Sequence, residues 1–180
     1  MKFSVKRIVY LALLVSLGVM LKFFKITIPY LGLSFTGFPM ILAGVLFGPI
    51  SGGIVGGITD ILGFILRPTG TFMPYFTLTA ILTGLIPGFI VMLLKNNPLK
   101  FRHYLLAVGI GQLITSVILI PYFINILFRI PFRVKFYPAL VTQLQHVPLY
   151  AFVIKVLVNR ISSLDIDLEL KINSVEDISN

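Results

Sequence analysis

Apolar stretches recur along the chain, separated by short breaks marked by bases, glycine or proline, and they place spans at residues 8–24, 34–47, 50–66, 76–94, 104–128 and 138–158. Most are long enough to cross a hydrocarbon core, which predicts an all-α membrane protein with six transmembrane helices in one bundle. The second span is the exception. Fourteen residues rise only about 21 Å as a helix against a core of about 30 Å, so this span is expected to be short or irregular, with non-helical backbone covered by neighbouring protein. The first span follows a short basic segment and resembles a signal peptide, yet Lys22, Phe23, Phe24 and Lys25 come next in place of a small-residue cleavage site, so it is read as retained. Loops are expected at 67–75 and 129–137. Residues 1–160 form one domain, and 161–180 form an acidic tail in which Leu164, Ile166, Leu168 and Leu170 alternate with Asp165, Asp167 and Glu169 at strand spacing.

The third span carries a second pattern inside the apolar one. Gly52, Gly56, Asp60 and Gly63 share one helical face, so a neighbouring helix or a ligand can come close to that backbone while the acid points inward. Asp60 is the only carboxylate before residue 165. An intramembrane acid is costly unless paired, and it is read either as a functional group or as an internal pin bonded to a helix end or a nearby base. In the first span Ala12 and Ser16 stand four apart, a small-xxx-small pair that permits close helix approach within this chain or from a partner. Gln112 with Ser116, and Gln143 with His146, each share a helix face, and helix-to-helix hydrogen bonding is the plain reading of such residues.

Composition supports the membrane assignment: 57% of the 180 residues are hydrophobic, 12% are charged, and mean hydropathy is +1.01. The net charge of +9 lies in breaks between spans, where topology and lipid use it, so no nucleic-acid partner is inferred. With six spans both termini share a side. Lys2, Lys6, Arg7, Lys95, Lys100, Arg102, Arg160 and Lys171 fall there, with Lys155 near it, against Lys22, Lys25, Arg67, Arg129, Arg133 and Lys135 opposite. The excess places both termini in the cytoplasm. The outer side nevertheless keeps several bases with no acid to neutralise them, which attracts an anion.

No glycine-rich phosphate loop followed by Lys and Ser/Thr occurs, so ATP use must come from a partner. Cysteine is absent, no Ser-His-Asp arrangement or metal-ligand cluster is present, and neither catalytic residues nor cofactors are assigned. The polar residues suit binding. Thr71, Phe72, Tyr75, Thr77 and Thr79 follow Arg67, and Asn125, Gln143 and His146 join them from later spans. With Lys22, Arg129 and Arg133 as outer bases, this set suits a flat heteroaromatic ligand that carries carboxylate. An interfacial aromatic belt is the alternative for any single ring.

Ser34-Phe35, Pro39, Ala43-Gly44, Phe47-Gly48-Pro49, Gly52, Asp60, Pro68, Gly70, Phe76-Thr77, Gly84 and Gly88, followed by Pro138, Leu140 and Val147-Pro148-Leu149, resemble the S components of energy-coupling-factor vitamin transporters, in particular the folate-type family. The resemblance implies a six-helix substrate-binding subunit of the cell membrane with cytoplasmic termini. It captures a vitamin, folate or a related pterin first, beneath its first, third and fifth loops. Its implied partners are a transmembrane coupling subunit and two ATPase subunits, and Ala12 and Ser16 match the motif that contacts the coupling subunit. The chain departs from the folate-type pattern at Leu33, Ala139 and Thr142, where bases are usual, and Lys22 stands where Arg is usual. Another vitamin or a queuosine-like precursor is the alternative ligand, and a membrane scaffold of the cell-shape machinery the alternative class.

Overall fold

The computed structural model describes the backbone of residues 5–23, 35–68, 70–94 and 100–163. The expectations for Lys25, for the first loop and for the acidic tail beyond residue 163 lie outside the described residues. Every regular element described is helical. We number them α1 (Val5–Phe23), α2 (Phe38–Phe47, preceded by a 3-10 turn at Phe35–Gly37), α3 (Pro49–Leu66), α4 (Pro74–Leu93), α5 (Phe101–Phe128) and α6 (Phe132–Ser163). The α3, α4, α5 and α6 helices are long and apolar enough to cross a membrane. The α2 helix is not, in agreement with the short second span, and its ten residues rise about 15 Å.

The seam between α2, α3 and α4 is built from backbone. A Cβ on Gly52 would stand 2.6 Å from Gly44 Cα, and one on Gly88 would stand 2.6 Å from the Gly44 carbonyl oxygen. Gly84 presses on Gly52, and Gly56 on the Ala80 carbonyl, more closely still. Glycine on both faces is how helices gain dispersion contacts where lipid tails supply no hydrophobic drive. Gly48, at φ +89, makes the reversal between α2 and α3 in one residue, with Pro49 opening α3.

At one end of the bundle Arg7 Nη2 donates to the Phe47 carbonyl and to Ser51 Oγ (2.7 Å), tying the start of α1 to the α2–α3 turn. Phe47, at the end of α2, packs on the same hydrophobic cluster as Phe101 at the start of α5 and Leu157 and Val158 near the end of α6. The α1 helix turns Leu11, Val15 and Gly18 inward and leaves Ala12 and Ser16 exposed, with Ser16 Oγ donating to the Ala12 carbonyl at 2.9 Å.

The last two helices depart from expectation. The α5 helix widens into a π-helical stretch at Leu113–Leu119, where Ile120 N–H reaches back five residues to the Thr115 carbonyl. Pro121 follows directly. Its ring excludes the carbonyl four residues earlier and it donates no hydrogen bond, and the wider turn relieves that crowding. The expected loop at 129–137 shrinks to Arg129–Pro131, because α6 starts at Phe132 and carries Pro138 and Pro148 in its interior. Proline as a helix starter misplaced this boundary: at membrane depth an internal proline forfeits one ladder bond, whereas an irregular segment leaves several groups unsatisfied.

Gly52→Ala should lower the melting temperature of the detergent-solubilised protein, with an overpacking cost of about 1–3 kcal/mol. Gly53→Ala, whose Cβ would meet nothing closer than Ile81 Cγ2 at 3.4 Å, should leave it nearly unchanged. Equal melting points for the two variants would contradict the backbone seam.

Candidate binding cavity

All six helices contribute to a cavity of two chambers. The outer one (≈ 880 Å³) and the inner one (≈ 560 Å³) share Lys22, Thr36, Asp60 and Phe76 in their walls, so these residues form the neck between them. Each volume lies in the range of small-molecule sites, about 300–1,000 Å³.

The neck is an ion pair. Lys22, at the last turn of α1, places Nζ 2.7 Å from Asp60 Oδ1 and 3.3 Å from the Asp60 carbonyl oxygen, and Thr77 Oγ1 donates to Asp60 Oδ2 at 2.8 Å. The two side chains are 26% and 19% exposed, so the pair is sheltered from solvent while still reachable from the cavity. Gly63 is part of the arrangement: a Cβ there would run into Lys22 Cδ and stand 3.0 Å from Nζ, so the lysine stem crosses α3 where glycine leaves room. The acid of the third span is therefore pinned by a base, and Lys22 is committed to Asp60.

Arg67, Thr71 and Phe72 line the outer chamber, and Phe72 meets Phe64 at 5.2 Å between ring centroids. The inner chamber takes a polar stripe from each of three helices. From α4 come Thr79 and Thr83, whose hydroxyls donate to the Phe76 and Thr79 carbonyls, both at 2.7 Å. From α5 comes Gln112, 4% exposed, whose Oε1 accepts from Ser116 Oγ at 2.6 Å. From α6 come Gln143, whose buried Oε1 has no hydrogen-bond partner among the described residues, and His146, whose Nδ1–H donates to the Thr142 carbonyl at 2.8 Å. Below them an aromatic floor forms as Tyr150 meets Phe35, Phe38 and His146 at 5.5–6.1 Å.

Of the residues singled out from sequence, Lys22, Arg67, Thr71, Phe72, Gln143 and His146 reach the cavity. Four do not. Tyr75 is exposed and packs on Phe123 at 5.0 Å, and Asn125 Nδ2 donates to the Ile130 carbonyl at 2.8 Å, closing the turn after α5. Arg129 sits at that turn in the left-handed region, φ 53, and Arg133 is exposed on α6. Lys135, two residues on, lines the inner chamber, as Lys22 does. The residues that sequence reading underweighted are Thr36, Thr83, Gln112 and Tyr150. For Thr83 and Tyr150 the signal was periodic: Phe76, Thr79, Ala80 and Thr83, and likewise Ala139, Thr142, Gln143, His146 and Tyr150, fall three or four apart, which puts each set on one stripe. Within the described residues no cluster of His, Cys, Asp or Glu suits a metal ion.

Removing one partner of a sheltered pair leaves the other charge uncompensated. Lys22→Met should therefore lower the melting temperature more than the double variant Lys22→Met/Asp60→Asn does. Additive losses in thermal melts would mean that the two side chains do not act as a pair.

Comparison with known proteins gives concordant matches. The family described as "ECF transporter, substrate-specific component" matches residues 6–158. A protein named folate transporter FolT, from Clostridium novyi (strain NT), is 30% identical over 152 residues, covering 84% of this chain and 87% of that protein. A solved structure, titled as the crystal structure of FolT bound with folic acid, superposes with a TM-score of 0.70 at 26% identity, covering 84% of this chain and 91% of that one.

Proposed function

The chain belongs to the family of ECF transporter substrate-specific components, and from that premise we propose that it captures folate, or a pterin close to it, at the outer face of the cell membrane. It is a multi-pass membrane protein and a substrate-binding transporter component, not an enzyme. The observation that carries the ligand proposal is the cavity itself. An inner chamber walled by amides and aromatic rings suits a flat heteroaromatic ring, and an outer chamber with Arg67 and Thr71 suits a carboxylate-bearing tail, in a chain 30% identical to a folate transporter. Ala139 and Thr142 line the inner chamber where the folate-type pattern carries bases, and Lys135, one turn away on α6, supplies a cation in their place.

The orientation follows from the distribution of bases: both termini in the cytoplasm, with the Arg67–Met73 and Arg129–Pro131 connections outside. The chain's own sequence has no phosphate-cradling loop, so energy must come from a partner, and membership of this family implies two ATPase subunits acting through a transmembrane coupling subunit. We assign the contact with that coupling subunit to the outward stripe of α1, where Ala12 and Ser16 are exposed. A membrane scaffold has no use for a cavity of this size. Another vitamin or a queuosine-like precursor is the alternative ligand if folate fails.

Purified protein should bind folic acid without nucleotide, with a dissociation constant in the micromolar range or below, in isothermal titration calorimetry. Arg67→Gln should weaken folic acid about tenfold or more, as expected for loss of a charge-assisted hydrogen bond, and should weaken an analogue lacking the carboxylate tail far less. Undetectable binding at micromolar protein would remove folate from consideration.

Ser16→Trp should abolish copurification of the ATPases and vitamin uptake, while the isolated subunit binds its ligand as before, because the side chain projects from the bundle away from the cavity. Joint loss of binding and assembly would indicate damage to the fold, and intact assembly would place the coupling subunit elsewhere.

A further inference from the structure

We propose that Asp60 is the group that reads the ring of the ligand, accepting hydrogen bonds from an aminopyrimidine-type edge, with Lys22 and Thr77 as positioning residues that hold its carboxylate in place. The proposal rests on the folate reading and adds to it the atom that decides between rings.

A carboxylate offers about four lone-pair sites on its two oxygens. In Asp60 one bond to Lys22 Nζ uses Oδ1 and one from Thr77 Oγ1 uses Oδ2, so each oxygen retains acceptor capacity. The carboxylate belongs to the walls of both chambers and is 19% exposed, so a ring entering the inner chamber passes it at the neck. Asp60 is the only acid in the first 164 residues, so within the described bundle it is the one fully charged acceptor that a ring amine and an adjacent ring N–H can meet. Two parallel N–H donors match the two oxygens of a carboxylate, a geometry that gives direction as well as strength.

Charge favours the same assignment. Lys22 already neutralises Asp60, so a neutral ring can bind the carboxylate without adding net charge to a sheltered site. A ring with a carbonyl in place of the amine would set oxygen against carboxylate oxygen, and discrimination would come from that repulsion as much as from the bonds gained. The pair therefore has two roles: it stabilises the junction of α1 with α3, and it presents a fixed acceptor to the ligand.

The test compares folic acid with its 2-oxo analogue, in which a carbonyl replaces the ring amine and the tail is unchanged, on the purified full chain. The wild-type protein should prefer folic acid by at least about tenfold. In Asp60→Asn the new amide can donate to a ring carbonyl, so the preference should fall to about one or invert. The double variant Lys22→Met/Asp60→Asn, which leaves no unpaired ammonium, should show the same change and guards against misfolding of the single variant. Taking the ratio of the two dissociation constants cancels any loss of active fraction. An unchanged preference for folic acid in either variant would overturn the assignment, as would equal loss of both ligands by variants that remain monodisperse and helical. Absence of folic acid binding by the wild-type protein would instead defeat the folate reading itself.

Discussion

Direct backbone contact between α2, α3 and α4 is the constraint on which the remaining architecture depends. Gly44, Gly52, Gly84 and Gly88 bring three helices together with no side chain between them, which holds the ten-residue α2 in place although it is too short to span. Because α2 is short, its Phe35–Gly37 approach and first turn stand deep in the bundle, and Thr36, Gly37 and Met40 become cavity wall. Close packing on that side also separates the functions of the glycines. Gly44, Gly52 and Gly56 serve the seam, whereas Gly63 opens the track along which Lys22 reaches Asp60.

The ion pair then connects packing to recognition. A base at the end of α1 and an acid on α3 could only be sheltered if each satisfied the other, and Thr77 from α4 completes the carboxylate's shell. The contact joins three helices at the level where the two chambers meet. Placing the charged pair there confines it to a position that both the ring and the tail of a ligand must approach, while the amide and aromatic groups below remain uncharged.

Much of this architecture is legible in the order of the residues alone. Run lengths predict six helices and a deficient second one, the glycine spacing on α3 predicts a close-packed face, and the isolation of Asp60 requires a partner. Which polar residues converge is not legible in the same way. Asn125 and Gln143 look alike as amides in apolar spans, yet one closes the turn after α5 and the other lines the chamber, because that difference depends on the rotation of each helix against its neighbours. Arg133 and Lys135 likewise differ only in the stripe each occupies once α6 begins at Phe132, and Arg129 falls in the turn before it. That start is hidden because proline marks helix boundaries more reliably in water than in lipid. The π-helical stretch before Pro121 leaves no composition signal beyond the proline itself.

On this reading the chain holds a folate-type ligand with its ring in the inner chamber, the amine edge of that ring on Asp60, and its carboxylates outward beside Arg67. A structure of the protein with folic acid tests that claim most directly. The account predicts the ring amine within hydrogen-bond distance of an Asp60 carboxylate oxygen, about 2.7–3.2 Å, with the tail beside Arg67 and Thr71. A ligand lying in the reverse sense, or a ring seated away from Asp60 with the Lys22 pair undisturbed, would contradict it.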